Sequence, residues 1–199
     1  NKHRIIDVIC GETHTLALDC RHNLYSWGGN NFGQLGHGNC GRKTTVFHPK
    51  VVQFLRRRNI RICQISCGAN HNVVISEQGR TYCFGRNFSF ECGDGNDSNN
   101  VNKPKLNATL KDLKIVSVKC GLQHSVARTN DDEYYLWGSN EFNQCLVCDE
   151  RQHFVKIPTK YNKCIDGISD QLEYKIIDIF PGWKETRIIT AKIRRTSYL

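Results

Sequence analysis

WGGNNFGQLGHG, from Trp27 to Gly38, packs five glycines into twelve residues. A loop that cradles phosphate would be unique in the chain, follow a strand, open a helix and carry a lysine close behind. A scaffold turn would recur.

The stretch recurs. Three segments align: CGETHTLALDCRHNLYSWGGNNFGQLG, CGANHNVVISEQGRTYCFGRNFSFECG and CGLQHSVARTNDDEYYLWGSNEFNQCL. Each opens Cys-Gly-x-x-His, with Gly11 and His14, Gly68 and His71, then Gly121 and His124. An aromatic residue, Trp27, Phe84 or Trp137, lies sixteen positions after its glycine in every copy. Glycine follows it (Gly28, Gly85, Gly138), and two residues on comes Asn30, Asn87 or Asn140. The opening stretch reappears as FGRNFSFECGDG and WGSNEFNQCLVC, losing glycines while keeping register. A phosphate cradle would not survive that drift, so these are tight-turn and close-packing glycines. Successive key glycines are 57 and then 53 residues apart, and the difference falls after the aromatic-Gly pair. Insertions collect in loops in this way. A fourth copy, YKIIDIFPGWKETRIIT, brings Gly182 sixty-one residues after Gly121, carries Glu185 at the histidine position and stops before an aromatic-Gly pair.

Within each copy the apolar period is two. Ile6, Val8 and Cys10, then Cys63, Ile65 and Cys67, then Val116, Val118 and Cys120 alternate as half-buried strands do, and Ile177 and Ile179 continue the phase. Leu16 and Leu18, matched by Val73 and Ile75, mark a second strand, and NLYSW, RTYCF and YYLW a third after turn-like DCRHN, SEQGR and TNDDE. KVVQFL and FVKIP are candidates for a fourth. Four short antiparallel strands per repeat predict an all-β chain of propeller blades, about three and a half of them. The expected repeats run over about 4–58, 60–113 and 114–173, with a partial copy over 174–199, all within one segment, 1–199.

Bulk properties agree. The 199 residues are 39% hydrophobic, without the run of about 18 apolar residues that a membrane span needs. No signal-peptide pattern opens the chain. It contains no methionine, and Ile5 already belongs to a patterned strand, so an excerpt of a longer reading frame is expected. Eleven cysteines, an odd number, fall mostly at apolar register positions and are read as reduced thiols of an intracellular protein, cytoplasmic or nuclear. Sequons at Asn87, Asn96 and Asn107 are read as chance, since Asn87 belongs to a repeated turn. The formal charge of +9 permits acidic partners.

The Cys-Gly-x-x-His opening, the Trp-Gly-x-Asn pair and Gly33-Gln34-Leu35-Gly36 together resemble the regulator of chromosome condensation repeat family over about residues 4 to 190. The resemblance implies a seven-bladed propeller, which this chain is too short to close. It also implies partners of the kind such propellers hold: a small nuclear GTPase undergoing nucleotide exchange, nucleosomes, or other proteins.

Most residues with a reactive look are accounted for by register. His14, His71 and His124 occupy equivalent places on successive blades, too far apart to share a metal ion, and are expected to hydrogen-bond neighbouring turns. Cys145 and Cys148 form a lone C-x-x-C. Cys145 matches Leu35 and Cys92, and Cys148 matches Gly38 and Gly95, so a core thiol and a loop thiol are expected. Cys63, matching Ile6 and Val116, is expected to act as a small hydrophobe. DGNDSNN, from Asp94, fails as a calcium loop, with Asn99 where glycine and Lys105 where glutamate belong. No catalytic constellation, cofactor site or metal site is expected. What register leaves over is basic and aromatic. Arg56, Arg57, Arg58 and Arg61 cluster after the first arm, and Lys192, Arg194 and Arg195 near the C-terminus. They fit either phosphate or acidic-peptide contact or a solvated edge. Trp183 fits either a partner contact or packing against KCIDGISDQLE. The expectation is a non-catalytic interaction scaffold whose remaining blades come from further chain or another subunit. The alternatives are an exchange factor for a small GTPase and a chromatin or nucleic-acid docking module.

Overall fold

In each repeat the second and third strands are joined by a hairpin with one left-handed residue eleven positions after the key glycine: His22 (φ 64°), Gly79 (φ 76°) and Asp132 (φ 62°). Such residues let the turn follow the twist of the strands it joins. The computed structural model describes residues 4–96, 99–147, 152–161 and 174–192. Strands β1 (Ile5–Cys10), β2 (His14–Asp19), β3 (Leu24–Gly28) and β4 (Val46–Val51) form one antiparallel sheet in that order. A second contains β5 (Ile62–Cys67), β6 (His71–Ser76), β7 (Thr81–Arg86) and β8 (Asn100–Leu106). The third contains β9 (Ile115–Cys120), β10 (His124–Thr129), β11 (Tyr134–Ser139) and β12 (Phe154–Lys160), and β13 (Tyr174–Pro181) pairs with β14 (Thr186–Lys192). Registers repeat: His14 faces Gly28, His71 faces Gly85 and His124 faces Gly138. These are blades of a partial propeller. Their first strands touch in series, β1 to β5 to β9 to β13, and one hydrophobic cluster runs through them from Leu16 through Val73 and Val126 to Ile179.

Two strand expectations need correction. Each first strand carries a β-bulge, with register shifts at Ile5/Asp7, Ile62/Gln64 and Ile176/Asp178, while β9 skips Val116 in its pairing with β10. The extra residue is left out of the ladder. Ile6, Cys63, Val116 and Ile177 are therefore exposed, and the residue before each bulge takes the inward place, burying Ile62 and Ile115. Cys63 is not a core residue. It sits at the surface, its thiol donating to the carbonyls of Ile75 and Ser76 at 3.5 and 3.4 Å. The fourth strand of the first blade is VFHPKV, not KVVQFL, and a short helix α1 (Gln53–Arg56) follows it and buries Leu55. Pro49 is tolerated because β4 is the outer edge of its sheet.

Candidate functional site

The glycine-rich turn follows a fixed template. Asn30, Asn87 and Asn140 are buried, and each side-chain oxygen accepts from the backbone N–H of Leu35, Cys92 or Cys145 at 3.1, 2.9 and 2.9 Å. Two positions of the turn are left-handed in all three copies, Gly33, Phe90 and Asn143 at the first, Gly36, Gly93 and Leu146 at the second. The glycines were lost and the backbone was kept.

The histidines form a second template. His14 Nε2 donates to Asn72 Oδ1 at 2.7 Å, His71 Nε2 to Ser125 Oγ at 2.9 Å and His124 Nε2 to Thr186 Oγ1 at 3.0 Å. Each acceptor belongs to the next blade and in turn donates to a carbonyl of the blade before it: Gln34 at 2.8 Å, Glu91 at 3.3 Å and Gln144 at 2.6 Å. His71 and Ser125 have the look of a nucleophile and its base, yet both are buried and the hydroxyl proton is committed to a backbone carbonyl. Burial, followed by the fields of His124, His14 and Arg86, pushes His71 down to about 3. Burial alone lowers His124 to about 4, and burial also depresses His14. All three are neutral interblade donors at ordinary pH. The signal for their partners was the polar residue directly after each histidine position, Asn72, Ser125 and Thr186.

The thiols divide by depth. Cys67, Cys83, Cys92 and Cys145 are buried and free, while Cys10, Cys20 and Cys40 are exposed. Burial pushes the Cys120 thiol up to about 11 and Cys145 further still. Cys148, residues 163–173, Arg194 and Arg195 lie outside the described residues, as do Asp97 and Ser98 within DGNDSNN. Among the described residues no group of three or more His, Cys, Asp and Glu is placed to hold a metal ion. Nor, among the described residues, is any helix long and apolar enough to cross a membrane.

Strand direction sorts the remaining candidates onto two faces. The β1–β2 and β3–β4 loops and their equivalents share one end of the blades, whereas the hairpin turns and α1 share the other. Trp183 therefore lies on the first face and the arginines on the second. On the first face a cleft of about 660 Å³ runs along the Gly11, Gly68, Gly121 and Gly182 loops, walled by Phe32, Arg86 and Trp183. Trp183 is 70% exposed, and Phe88 and Phe142, on the same face, are exposed too. Phe32 meets Phe88 edge-on at 6.2 Å, the Arg86 guanidinium lies over Phe88 at 5.3 Å and the Lys184 ammonium over Phe142 at 4.6 Å. Sequence reading missed this aromatic row, although Phe32 and Phe142 share one register position. On the second face Arg61 pairs with Glu77 at 2.9 Å, whereas Arg56, Arg57 and Arg58 are exposed and have no carboxylate partner among the described residues.

Two family models described as the regulator of chromosome condensation (RCC1) repeat match the chain, one over residues 21–75 and 78–128, the other over 5–34 and 115–144. The chain belongs to the RCC1 repeat family. Curated relatives include the human E3 ubiquitin-protein ligase HERC2, 31% identical over 91% of this chain and 4% of its own length. The ultraviolet-B receptor UVR8 of Arabidopsis thaliana is 32% identical over 77% of this chain and 34% of its own. Among solved structures, the RCC1-repeat protein Prp20p of Saccharomyces cerevisiae superposes with a TM-score of 0.81 at 25% identity, over 96% of this chain and 45% of that one. That structure is described with its binding properties to Gsp1p and histones. The chain thus spans less than half the length of each.

Proposed function

We propose that this chain is a non-catalytic scaffold of an intracellular protein, an arc of an RCC1 propeller that holds a protein partner on its loop face. One observation carries the reading: the polar groups resembling catalytic ones are consumed between blades, while the loop face presents exposed aromatics and a cleft that Phe32 and Trp183 line. Exposed Trp183, Phe88 and Phe142, with Arg86 over Phe88, are of the aromatic and arginine types enriched at interfaces, tryptophan and arginine above all among those that carry binding energy. The arc also has an unfinished flank. Ile5 and Val8 are 44% and 54% exposed, whereas their register equivalents Ile62 and Ile65 are 0% and 5% exposed beneath a neighbouring blade. Further blades, from more of the same chain or from another subunit, cover that flank. Sedimentation of the 199-residue segment tests this: self-association that Val8→Asp reduces is expected, and a stable, monodisperse monomer would overturn it.

A second reading, exchange on a small GTPase, draws on the likeness to Prp20p and its described binding to Gsp1p. The same description includes histones, which supports chromatin docking as a third. Nucleotide release from a panel of small GTPases decides the exchange reading, and absence of acceleration removes it. Binding that collapses steeply between low and moderate salt would mark phosphate contacts.

A further inference from the structure

The outer seam between the first two blades holds an uncompensated positive recess. A cleft of about 340 Å³ is walled by Lys50 of β4, Arg57 and Arg58 beside α1, Lys103 of β8, and His37. Among the described residues none of these four cations has a carboxylate partner. Lys105, two residues along β8, shows the alternative, held by Asp94 at 2.7 Å. All four are exposed, and two of them are held in place. Arg58 is pinned, its guanidinium 3.9 Å over the Phe54 ring and donating to the Phe54 carbonyl at 3.4 Å. The Lys103 stem lies across Gly38, where a Cβ would come within 2.7 Å of its Cε. His37, half-buried with Nε2 3.2 Å from Ser26 Oγ, is depressed by burial and then by the Lys50 charge. Like charges are thus gathered around one concave site, an arrangement that a dianion relieves.

The recess adjoins a second groove of about 580 Å³, with Phe54, Arg58 and Lys103 lining both, and this one combines apolar Ile60, Val101 and Leu106 with polar Asp94 and Asn100. We propose that the seam binds a phosphorylated peptide segment, the phosphate in the basic recess and a neighbouring apolar side chain in the adjoining groove. The geometry disfavours a nucleic-acid duplex, whose phosphates recur along a rod and call for a track of cations. Here the cations converge on one point beside a groove with apolar Ile60, Val101 and Leu106 in its lining. The site is independent of the loop-face reading, because it lies on the outer rim and uses none of the aromatic row.

Fluorescence anisotropy on the full chain tests the proposal. The probes are short phosphothreonine peptides with leucine at successive offsets, their unphosphorylated twins, versions with serine for leucine, and a duplex DNA. Expected is binding of a leucine-bearing phosphopeptide that weakens about tenfold or more without the phosphate and severalfold without the leucine. Arg57→Ala with Lys103→Ala should cost about tenfold with an unchanged melting temperature, Trp183→Ala should cost nothing, and inorganic phosphate should compete. Arg57→Gln alone provides a milder variant if the double one fails to fold. Equal binding of the unphosphorylated twin, tighter binding of the duplex, no phosphopeptide binding, or indifference to Arg57 and Lys103 would each overturn it.

Discussion

His71 and Ser125 lie on adjacent blades, 54 residues apart in sequence, and meet through a 2.9 Å hydrogen bond that is wholly buried. Ser125 passes the connection on to the Glu91 carbonyl, so one imidazole ties a second-strand residue of the next blade to a turn of its own. His71→Ala leaves Ser125 short of a donor and opens a void where the ring had been. The loss expected is roughly 2 to 4 kcal/mol, read as a lower urea midpoint. His71→Gln, which restores an N–H, should recover part of it.

Acid sensitivity follows from the same template. Each buried histidine titrates lower when folded than its ordinary 6.5, His71 at about 3 and His124 at about 4. Between pH 6.5 and about 4 the unfolded chain binds protons that the folded one refuses, so stability falls as pH is lowered through that window. It is fully present above 6.5. Each such histidine contributes a slope of about 1.4 kcal/mol per pH unit. Urea midpoints measured on either side of pH 6.5 should show a steep acid limb, shallower in His71→Gln. A flat profile would contradict neutral burial.

The glycine after each aromatic is demanded twice over. Gly138 sits at φ 110°, and a Cβ there would meet the Gln123 carbonyl at 2.6 Å. Gly41 has a comparable φ of 124° with open space around it. Gly41→Ala should cost about 1 to 2 kcal/mol for backbone strain alone. Gly138→Ala should cost more than that, by about 1 kcal/mol or more, in thermal melts, because backbone must also move.

The repeat, its strands and the structural place of the histidines were legible because identical spacing leaves few other interpretations. The bulge was less legible, since an extra residue reverses the two-residue phase without altering composition. Its trace is the doubled apolar pair, Ile5-Ile6, Ile115-Val116 and Ile176-Ile177, in which one member is left outside the ladder. The basic seam was only half visible. Arg57 and Arg58 stand out as a run, but Lys50 and Lys103 join them through blade packing, which sequence spacing does not encode. Trp183 was visible as an oddity of its loop, while the row it extends required knowing that Phe32, Phe88 and Phe142 share its face.

Arg86 and Glu91 show one blade solving a shared problem differently. Gln34 and Gln144 accept from the N–H of Phe32 and Phe142 at 2.9 Å, and Glu91 accepts from Ser89 in the same way at 2.8 Å. The glutamate brings a charge whose side chain is 1% exposed, and Arg86 meets it at 2.7 Å. In the third blade Ser139 replaces the arginine and takes a weak bond from Gln144 at 3.4 Å. Arg86→Ser alone strands a buried carboxylate and should cost about 3 kcal/mol at neutral pH. Burial already holds Glu91 above the ordinary carboxylate range although Arg86 opposes it, so without the arginine the folded carboxyl titrates higher still. The deficit should therefore shrink as pH is lowered. Glu91→Gln alone leaves the partly exposed Arg86 without its anion and should cost less. Arg86→Ser combined with Glu91→Gln recreates the third blade's pair and should return to within about 1 kcal/mol of the original. A double variant as unstable as the sum of the singles would show that the pair acts through packing and not through charge.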